Sequence, residues 1–452
     1  MKTKLSFKEY VYVASMLFGM FFGAGNLIFP VTLGQNAGNR VFIAFIGLFI
    51  TGVGMPLLGV AALGKSRSTG LFDLSSKAGR PYGMFFTCLL YLTIGPFFAI
   101  PRCATTSFTV GFEQILPDGV SVQLCLLIFS ILFFAAALFF SLRPGKILTW
   151  VGKILNPCFL LFLGVLVAVA LINPSVHISE VDPVGDYAKQ PFFAGFLEGY
   201  NTMDALAGLA FGIVVVQVIR GLGVNDSGAI AAGTIRSGIF SCLFMGLIYF
   251  AVTIVGVQSR GVFEPAANGG IALSQIALHY LGNVGMIVLA ATVTLACLKT
   301  AIGLITSCAE TFCSIFPNGP KYHIWAIIFS GVSFLFANLG LNAIIGYSLP
   351  VLMFLYPLAI VLILLTLFGD LFKNNTVVYR FTIGFTLIAA FYDMLRSLPE
   401  NVLKLLHLNP FLEAVGKALP LSDLGLGWTC PCVFGFIIGF TVYKIKESRI
   451  AE

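Results

Sequence analysis

The sequence predicts an all-α integral membrane protein with about twelve membrane-spanning helices, and three observations carry that prediction. Hydrophobic residues make up 58% of the 452 and charged residues only 10%, whereas a soluble domain carries roughly 25% charged residues. The apolar residues are gathered into long runs, and the basic residues sort unevenly between the segments that join those runs.

A helix needs about 20 apolar residues to cross the hydrocarbon of a bilayer. Runs of that size, divided by charged or Gly/Pro-rich breaks, fall at 9–36, 41–63, 82–110, 121–142, 147–172, 191–217, 229–257, 283–313, 323–339, 341–367, 377–396 and 427–444. The first run is too long for the apolar region of a cleavable signal and lacks a small-residue cleavage site, so it is expected to remain as the first span. The stretch from Gly269 to Leu281 is half apolar and is expected to form a short helix at the membrane interface.

Basic residues accumulate on the cytoplasmic side of a membrane. With the N-terminus inside, 18 of the 26 Lys and Arg residues fall on the cytoplasmic side. Six fall outside (Arg40, Lys189, Arg260, Arg396, Lys404 and Lys417), and Arg102 and Lys299 lie within spans. The bias predicts a multi-pass protein of the cell membrane with both termini in the cytoplasm. It also accounts for the net charge of +7, so nothing in the chain calls for nucleic acid, and no obligate protein partner is evident.

The first span contains "FGAGNLIFP", which sets Gly23, Ala24, Gly25 and Asn26 at its midpoint. In hydrocarbon every backbone N–H and C=O needs a partner, so unwound backbone survives only against protein or a cavity. "GAGN" is therefore either a packing notch, since Gly19 and Gly23 form a GxxxG, or a break lining a site. At a break, the second half points its N–H groups and positive dipole end at an anion, while the first half offers carbonyls to a cation. The second span ends in "GVAALGKS", Gly59 to Ser66, a formal match to a phosphate-binding loop. That loop works only between a strand and a helix, and here its first residues finish an apolar span, so Lys65 reads as a flank on the inner side.

The third span, "GPFFAIPRCATTS", predicts a kinked helix with Pro96 and Pro101, hydroxyls at Thr105, Thr106 and Ser107, and one buried cation, Arg102. Two outcomes are open for Arg102: pairing with Asp204 or Glu198, or snorkelling outward. The sixth span clusters Glu198, Asn201, Thr202 and Asp204. A carboxylate at the bilayer centre costs at least about 2.5 to 3.5 kcal/mol and usually marks a pathway; Asp204 lies midway and Glu198 is shallower. In the eighth span the Ala296 carbonyl and the Thr300 hydroxyl share a face, with Thr306 and Ser307 as a deeper alternative. Oxygen-only ligands of this kind suit a hard cation, although an isolated membrane Thr commonly bonds its own i−4 carbonyl. The ten cysteines show no paired spacing, and the CxC of Cys430 and Cys432 is too little for a metal site.

The first and sixth spans both carry Gly and Asn at mid-depth, as if each opened a repeat. Two repeats of five helices have opposite orientations in the membrane, the inverted-repeat plan of many secondary transporters. This divides the chain into 1–172 (helices 1 to 5), 173–367 (helices 6 to 10) and 368–452 (two additional C-terminal helices), with the first and sixth helices broken.

"FGAGNLIFP", "LTIGPFFAIPRCATTSF", "GYNTMDALAGLAFG" and "LPVLMFLYP" occur in this order and together resemble the bacterial branched-chain amino acid:cation symporter family, over essentially the whole chain. The resemblance implies Na⁺-coupled uptake of leucine, isoleucine and valine, and the twelve-helix architecture of the amino acid–polyamine–organocation superfamily. "GAGN" is also similar to the Gly-x-Gly-Asn break of sodium-coupled neurotransmitter and amino acid transporters. By that likeness the carbonyls of Gly19 and Phe22, with Ala296 and Thr300, hold one Na⁺, the N–H groups around Ala24 and Gly25 take the substrate carboxylate, and Asn26 sits beside the substrate. Lys299 stands where those relatives often have a second hydroxyl ligand; it either displaces the ion or faces away.

The expected function is thus a secondary symporter, with Na⁺ as coupling ion and no organic cofactor. Gly23, Ala24, Gly25, Asn26, Asn201, Thr202 and Asp204 are expected around the substrate, and Glu198, Arg102 and Lys299 serve coupling or gating. The surroundings of both breaks are Phe, Leu, Ala and Met, which suits an apolar side chain. Proton coupling through Asp204 or Glu198, or exchange with Lys299 in place of the ion, is the alternative within transport. A membrane-embedded enzyme using Glu198 and Asp204 as an acid/base pair finds no support in HExxH or a nucleophile elbow, neither of which is present; a passive channel lacks a filter-like sequence.

Overall fold

The computed structural model describes residues 4–66, 68, 70–117, 119–142, 156–224 and 226–451. The first part of the run at 147–172, and Lys2, Arg67, Arg143, Lys146 and Lys153 of the inner-side tally, lie outside the described residues.

The first span is two helices, α1 (Phe7–Phe21) and α2 (Ala24–Ala37). Ser6 opens α1 with a reciprocal cap: its N–H and hydroxyl both donate to Glu9, at 2.8 and 2.9 Å, satisfying donors that a helix start otherwise leaves open. The second span runs from α3 (Val41–Phe49) through a π-helical turn at Ile50–Gly54 into α4 (Met55–Ser66). "GVAALGKS" is therefore continuous helix, and Lys65 pairs with Asp370 at 2.8 Å and donates to the Leu367 carbonyl at 2.7 Å.

The third span is α5 (Arg80–Leu92), a π-helical turn over Thr93–Phe97 with Gly95 off helical geometry, and α6 (Ala99–Gly111). The predicted kink thus falls at Gly95–Pro96, where a ring without an N–H interrupts the ladder. Helices α7 (Val122–Ser141) and α8 (Asn156–Ile172) follow. The sixth span is again two pieces, α9 (Pro191–Thr202) and α10 (Asp204–Gly221). Next come α11 (Ser227–Ser259), capped by Asp226 at 2.7 Å from the Ala229 N–H, and α12 (Gly269–Ile315), capped by Asn268 at 3.0 Å from the Ile271 N–H. The remaining long helices are α13 (Tyr322–Ala337), α14 (Leu341–Leu367), α15 (Thr376–Arg396) and α16 (Thr429–Ala451), with two short ones, Glu400–Leu405 and Asn409–Ala418, between the last two.

Among the described residues nine helical stretches are long and apolar enough to cross a membrane, and Leu160–Ile172 and Tyr322–Ala337 are shorter apolar helices. The difference from twelve has two sources: Ala24–Ser66 runs on as one helical stretch through the first turnaround, so the first two spans count once, and the fifth and ninth runs are represented by the two shorter helices. Gly282, at φ 61°, bends α12 at the boundary the sequence suggests. The part before the bend is not laid on the surface, however. Gly269, Ala272, Leu273 and Ile276 are buried, and the Ser274 hydroxyl donates to the Val110 carbonyl at 2.9 Å, so this piece is wedged against the first and third spans.

Two tightly packed groups emerge from the closest backbone approaches. A Cβ on Gly34 would collide with the Thr253 carbonyl, one on Gly195 with the Ala44 carbonyl, and one on Gly208 would lie 2.7 Å from the Pro56 carbonyl. The first and seventh spans, and the second and sixth, therefore meet backbone to backbone, as small residues allow in membranes. In the other group α6 lies against α12, with the Gly111 position 2.9 Å from Ala290 Cβ, and Tyr322 of α13 donates to the Ser141 carbonyl of α7 at 2.8 Å. Leu132, Leu161, Leu247 and Ile388 point outward and exposed, as lipid-facing side chains do.

Candidate functional site

Both predicted breaks exist and they face each other. At the first, Phe22 and Gly23 leave helical geometry (φ −72°, ψ 98° and φ −129°, ψ −157°). The Gly23 N–H, which would bond the Gly19 carbonyl in an unbroken helix, donates instead to Asn26 Oδ1 at 2.7 Å. At the second, one residue, Met203, adopts the left-handed conformation (φ 62°, ψ 10°) between α9 and α10. That conformation costs a non-glycine residue about 1 to 2 kcal/mol, and here it is held inside a buried site, Met203 being 2% exposed.

Asn26 ties the two breaks together. Its Nδ2 donates to Asp204 Oδ2 at 2.7 Å and contacts Tyr249 Oη, and Tyr249 donates to the same Asp204 oxygen at 2.6 Å. Asp204 opens α10, where a carboxylate faces the positive end of the helix dipole, and the Asp204 N–H donates to Thr202 Oγ1 at 3.3 Å. A buried carboxylate without such donors would be costly; Tyr249, from the seventh span, is a partner that sequence reasoning missed. A Tyr at mid-depth in "GLIYFAV" is indistinguishable there from a core aromatic.

Arg102 takes neither predicted course. It is 3% exposed, makes no ion pair with Asp204 or Glu198 among the described residues, and donates to the backbone carbonyls of Asn201 at 2.6 Å and Thr202 at 3.4 Å. The reason is local: α9 ends there, and the last carbonyls of a helix form its negative pole. The guanidinium also lies over the Phe29 ring at 5.1 Å, and a Cβ on Gly25 would come within 2.8 Å of Arg102 Nη2. Glycine at 25 is what lets α2 start this close to the cation.

A cavity of about 40 Å³ lies between the breaks, lined by Gly23, Ala24, Gly25, Asn26, Thr202, Asp204, Arg102 and Thr300 with Met20, Phe21, Met203, Phe211 and Leu304. By volume it holds roughly three waters. Thr300 abuts the first break, its Oγ1 3.2 Å from where a Gly23 Cβ would stand, while it donates to the Ala296 carbonyl at 3.2 Å. Gly19, Phe22 and Ala296 do not line the cavity. Thr306 faces α13, where Tyr322 Oη donates to it at 3.4 Å, and Ser307 lies off the lining as well. Lys299 is buried on α12, outside the lining. No group of three or more His, Cys, Asp or Glu that would hold a metal occurs among the described residues; the side-chain oxygen that close packing brings against Gly23 is the Thr300 hydroxyl.

Glu198 and Asn201 line a different space, an outer cavity between α9, α14 and α15. Asn201 Nδ2 donates to Glu198 at 3.3 Å. Tyr356 of α14 donates to the Gly199 carbonyl at 3.3 Å and stacks on Tyr200 with centroids 4.1 Å apart, which braces α9 between the two cavities.

The comparisons with known proteins agree with this architecture. The chain is 50% identical over 449 residues to the branched-chain amino acid permease BrnQ of Lactobacillus delbrueckii subsp. lactis, covering 99% of this chain and 100% of that one. It is 40% identical to the permease BrnQ of Bacillus subtilis (strain 168), with the same coverage. Among solved structures, MhsT in complex with L-phenylalanine superposes with a TM-score of 0.57 at 14% identity, over 98% of this chain and 99% of that one. Mhp1, a nucleobase-cation-symport-1 family transporter in a closed conformation, gives 0.53 at 16% identity, over 96% and 92%. These two show the fold: an all-α transporter fold with broken first and sixth helices. The family described as "Branched-chain amino acid transport protein" matches residues 6–446, and the chain belongs to that family, a multi-pass membrane transporter and not an enzyme.

Proposed function

We propose that this protein carries leucine, isoleucine and valine into the cell by Na⁺-coupled symport, with both termini cytoplasmic. The observation that carries the reading is the meeting of two helix breaks around one small cavity, lined by Gly23 with the Thr300 hydroxyl beside it and by the carboxylate-bearing Asp204. The permease names of the relatives support the substrate class.

In this reading the substrate carboxylate docks at the N–H groups of Ala24 and Gly25, where the α2 dipole and Arg102 both favour an anion. The ammonium goes to Asp204 and the α9 carbonyls that Arg102 now occupies, so Arg102 is a gate that trades carbonyls for carboxylate. Gly19, Phe22, Ala296 and Thr300 would hold the Na⁺, which couples the first span to α12. The side chain meets Met20, Phe21, Phe211 and Leu304; one methylene is worth only about 1 to 3 kcal/mol, so the three substrates are poorly discriminated. Residues 1–172 and 173–367 act as inverted repeats, with 368–452 outside them. The group formed by the first, second, sixth and seventh spans rocks against the group around α6 and α12. Thr300 against Gly23, and Arg102 against α9, are contacts between the two groups.

A second reading, proton coupling, is favoured by one observation: Asp204 is 2% exposed and accepts its side-chain hydrogen bonds from two neutral groups, Asn26 and Tyr249. Radiolabelled leucine uptake into proteoliposomes under imposed Na⁺ or H⁺ gradients decides. Accumulation driven by Na⁺ alone is expected; accumulation that ignores Na⁺ but follows H⁺ replaces the first reading with the second, and none under any gradient rejects both.

A further inference from the structure

The antiparallel packing of the third span on α12 brings two free thiols together at the edge of the central cavity. One end of that packing is the contact of Gly111 with Ala290. At the other end a Cβ on Gly95 would stand 2.7 Å from Cys308 Sγ, and the same thiol reaches the Tyr91 carbonyl at 3.5 Å. Two helical turns in from the first contact, on the facing side of each helix, stand Cys103 and Cys297. Both are free cysteines, 2% and 0% exposed. Their side chains interact directly, with the Ser107 side chain as a further neighbour of Cys297 and the Ala24 backbone as a further neighbour of Cys103. Cys103 lines the central cavity together with Ala24 and Arg102, and Cys297 is sealed behind it.

A single buried cysteine behaves as a small hydrophobe, but two thiols meeting across a helix interface are also a ligand set. Thiolates are soft donors and select soft cations over Na⁺ or Mg²⁺. No third Cys, His, Asp or Glu joins them among the described residues, so the pair falls short of the four ligands that Zn²⁺ prefers. We propose that Cys103 and Cys297 form a two-thiolate site for a soft cation that takes two ligands in line, Hg²⁺, Ag⁺ or Cu⁺, and that its occupation shuts the transporter. Binding displaces one proton from each thiol and forms two metal–sulfur bonds, with no change of oxidation state. With Hg²⁺ the product is neutral, which a buried site tolerates where it would not tolerate a bare ion. With Ag⁺ or Cu⁺ one negative charge remains, and Arg102 lies on the same cavity lining to offset it. The ion enters by the route of the substrate, because only Cys103 of the pair borders the cavity. It then stands beside Ala24, where the substrate carboxylate docks in the transport reading; the block rests on that reading, whereas the binding does not.

Hg²⁺ is the probe, applied to purified full-length protein in which the other eight cysteines are replaced by serine. X-ray absorption is expected to show one Hg²⁺ per chain with two sulfur neighbours, and Cys103→Ser or Cys297→Ser in that background to leave one. A single sulfur neighbour in the two-cysteine chain overturns the site. In the otherwise unaltered chain, each single substitution is expected to remove one Hg²⁺ per chain from the metal that resists washing with a monothiol, and no loss in either overturns the site as well. In proteoliposomes the Hg²⁺ concentration that halves leucine uptake is expected to rise by at least about tenfold in both variants, and saturating leucine to slow the inactivation. Equal sensitivity of the wild type and both variants overturns the block. No leucine uptake by the wild type under any gradient overturns the transport reading, while the sulfur count on mercury still decides the site.

Discussion

Tyr249→Phe is the most informative single change in the central site, because it removes one hydroxyl and almost no volume. Tyr249 is fully buried, and its hydroxyl donates to Asp204 Oδ2 at 2.6 Å. A hydrogen bond to a charged group contributes about 1.5 to 3 kcal/mol, and with the ring retained no cavity term is added. If the network presents Asp204 to the substrate ammonium, the loss appears as a roughly 10- to 150-fold rise in the leucine Kd, read by scintillation proximity on purified protein and by initial uptake rates in proteoliposomes. Asn26→Ala removes the second donor to the same oxygen and also strands the Gly23 N–H. The double variant is therefore expected to be non-additive, with a coupling of about 0.5 to 3 kcal/mol, as for residues in one network. A leucine Kd within twofold of wild type in Tyr249→Phe, with thermal stability unchanged, would refute the reasoning: the network would then serve neither binding nor structure.

Three further outcomes follow from the geometry. Thr300→Ala is expected to raise the Na⁺ concentration giving half-maximal leucine uptake by about tenfold or more, while Thr300→Ser retains the wild-type value; an unchanged Na⁺ dependence in Thr300→Ala removes this hydroxyl from the ion site. Gly195→Leu places carbon against the Ala44 backbone carbonyl and is expected to cost at least about 1 to 3 kcal/mol by overpacking, seen as loss of monodisperse protein on gel filtration; normal yield and melting temperature would show that α9 and α3 separate easily. Met203→Gly is expected to melt higher than Met203→Ala by the equivalent of about 1 kcal/mol, because only glycine relieves the left-handed backbone, and the reverse order would place the strain elsewhere.

Much of this was legible residue by residue. The "GAGN" break follows from Gly and Asn where a spanning helix gains nothing from them, and the kink at Gly95–Pro96 follows from a ring that cannot donate. The bend at Gly282 falls where the hydropathy changes. The position of the second break was less legible. "GYNTMD" points to Gly199 and Asn201, yet the chain turns at Met203, whose side chain carries no turn signal. Gly199 is used for something else, close packing of α9 on Thr51, whose hydroxyl donates to the Phe196 carbonyl at 2.7 Å.

By itself the sequence determined the class, the spans, two of the interruptions and the depth at which polar groups sit, because hydrocarbon enforces these through each residue's own transfer cost. Only the tertiary structure decided who meets whom: Arg102 on the carbonyls of Asn201 and Thr202, Tyr249 and Asn26 on Asp204, Thr300 on Gly23, and Glu198 and Asn201 in a separate outer cavity. The reason is the solvent. In water a helix advertises its buried face by a polar stripe on the other side, but lipid is as apolar as the protein interior, so helices such as α8 and α14 are apolar all round and carry no stripe that says which way they face.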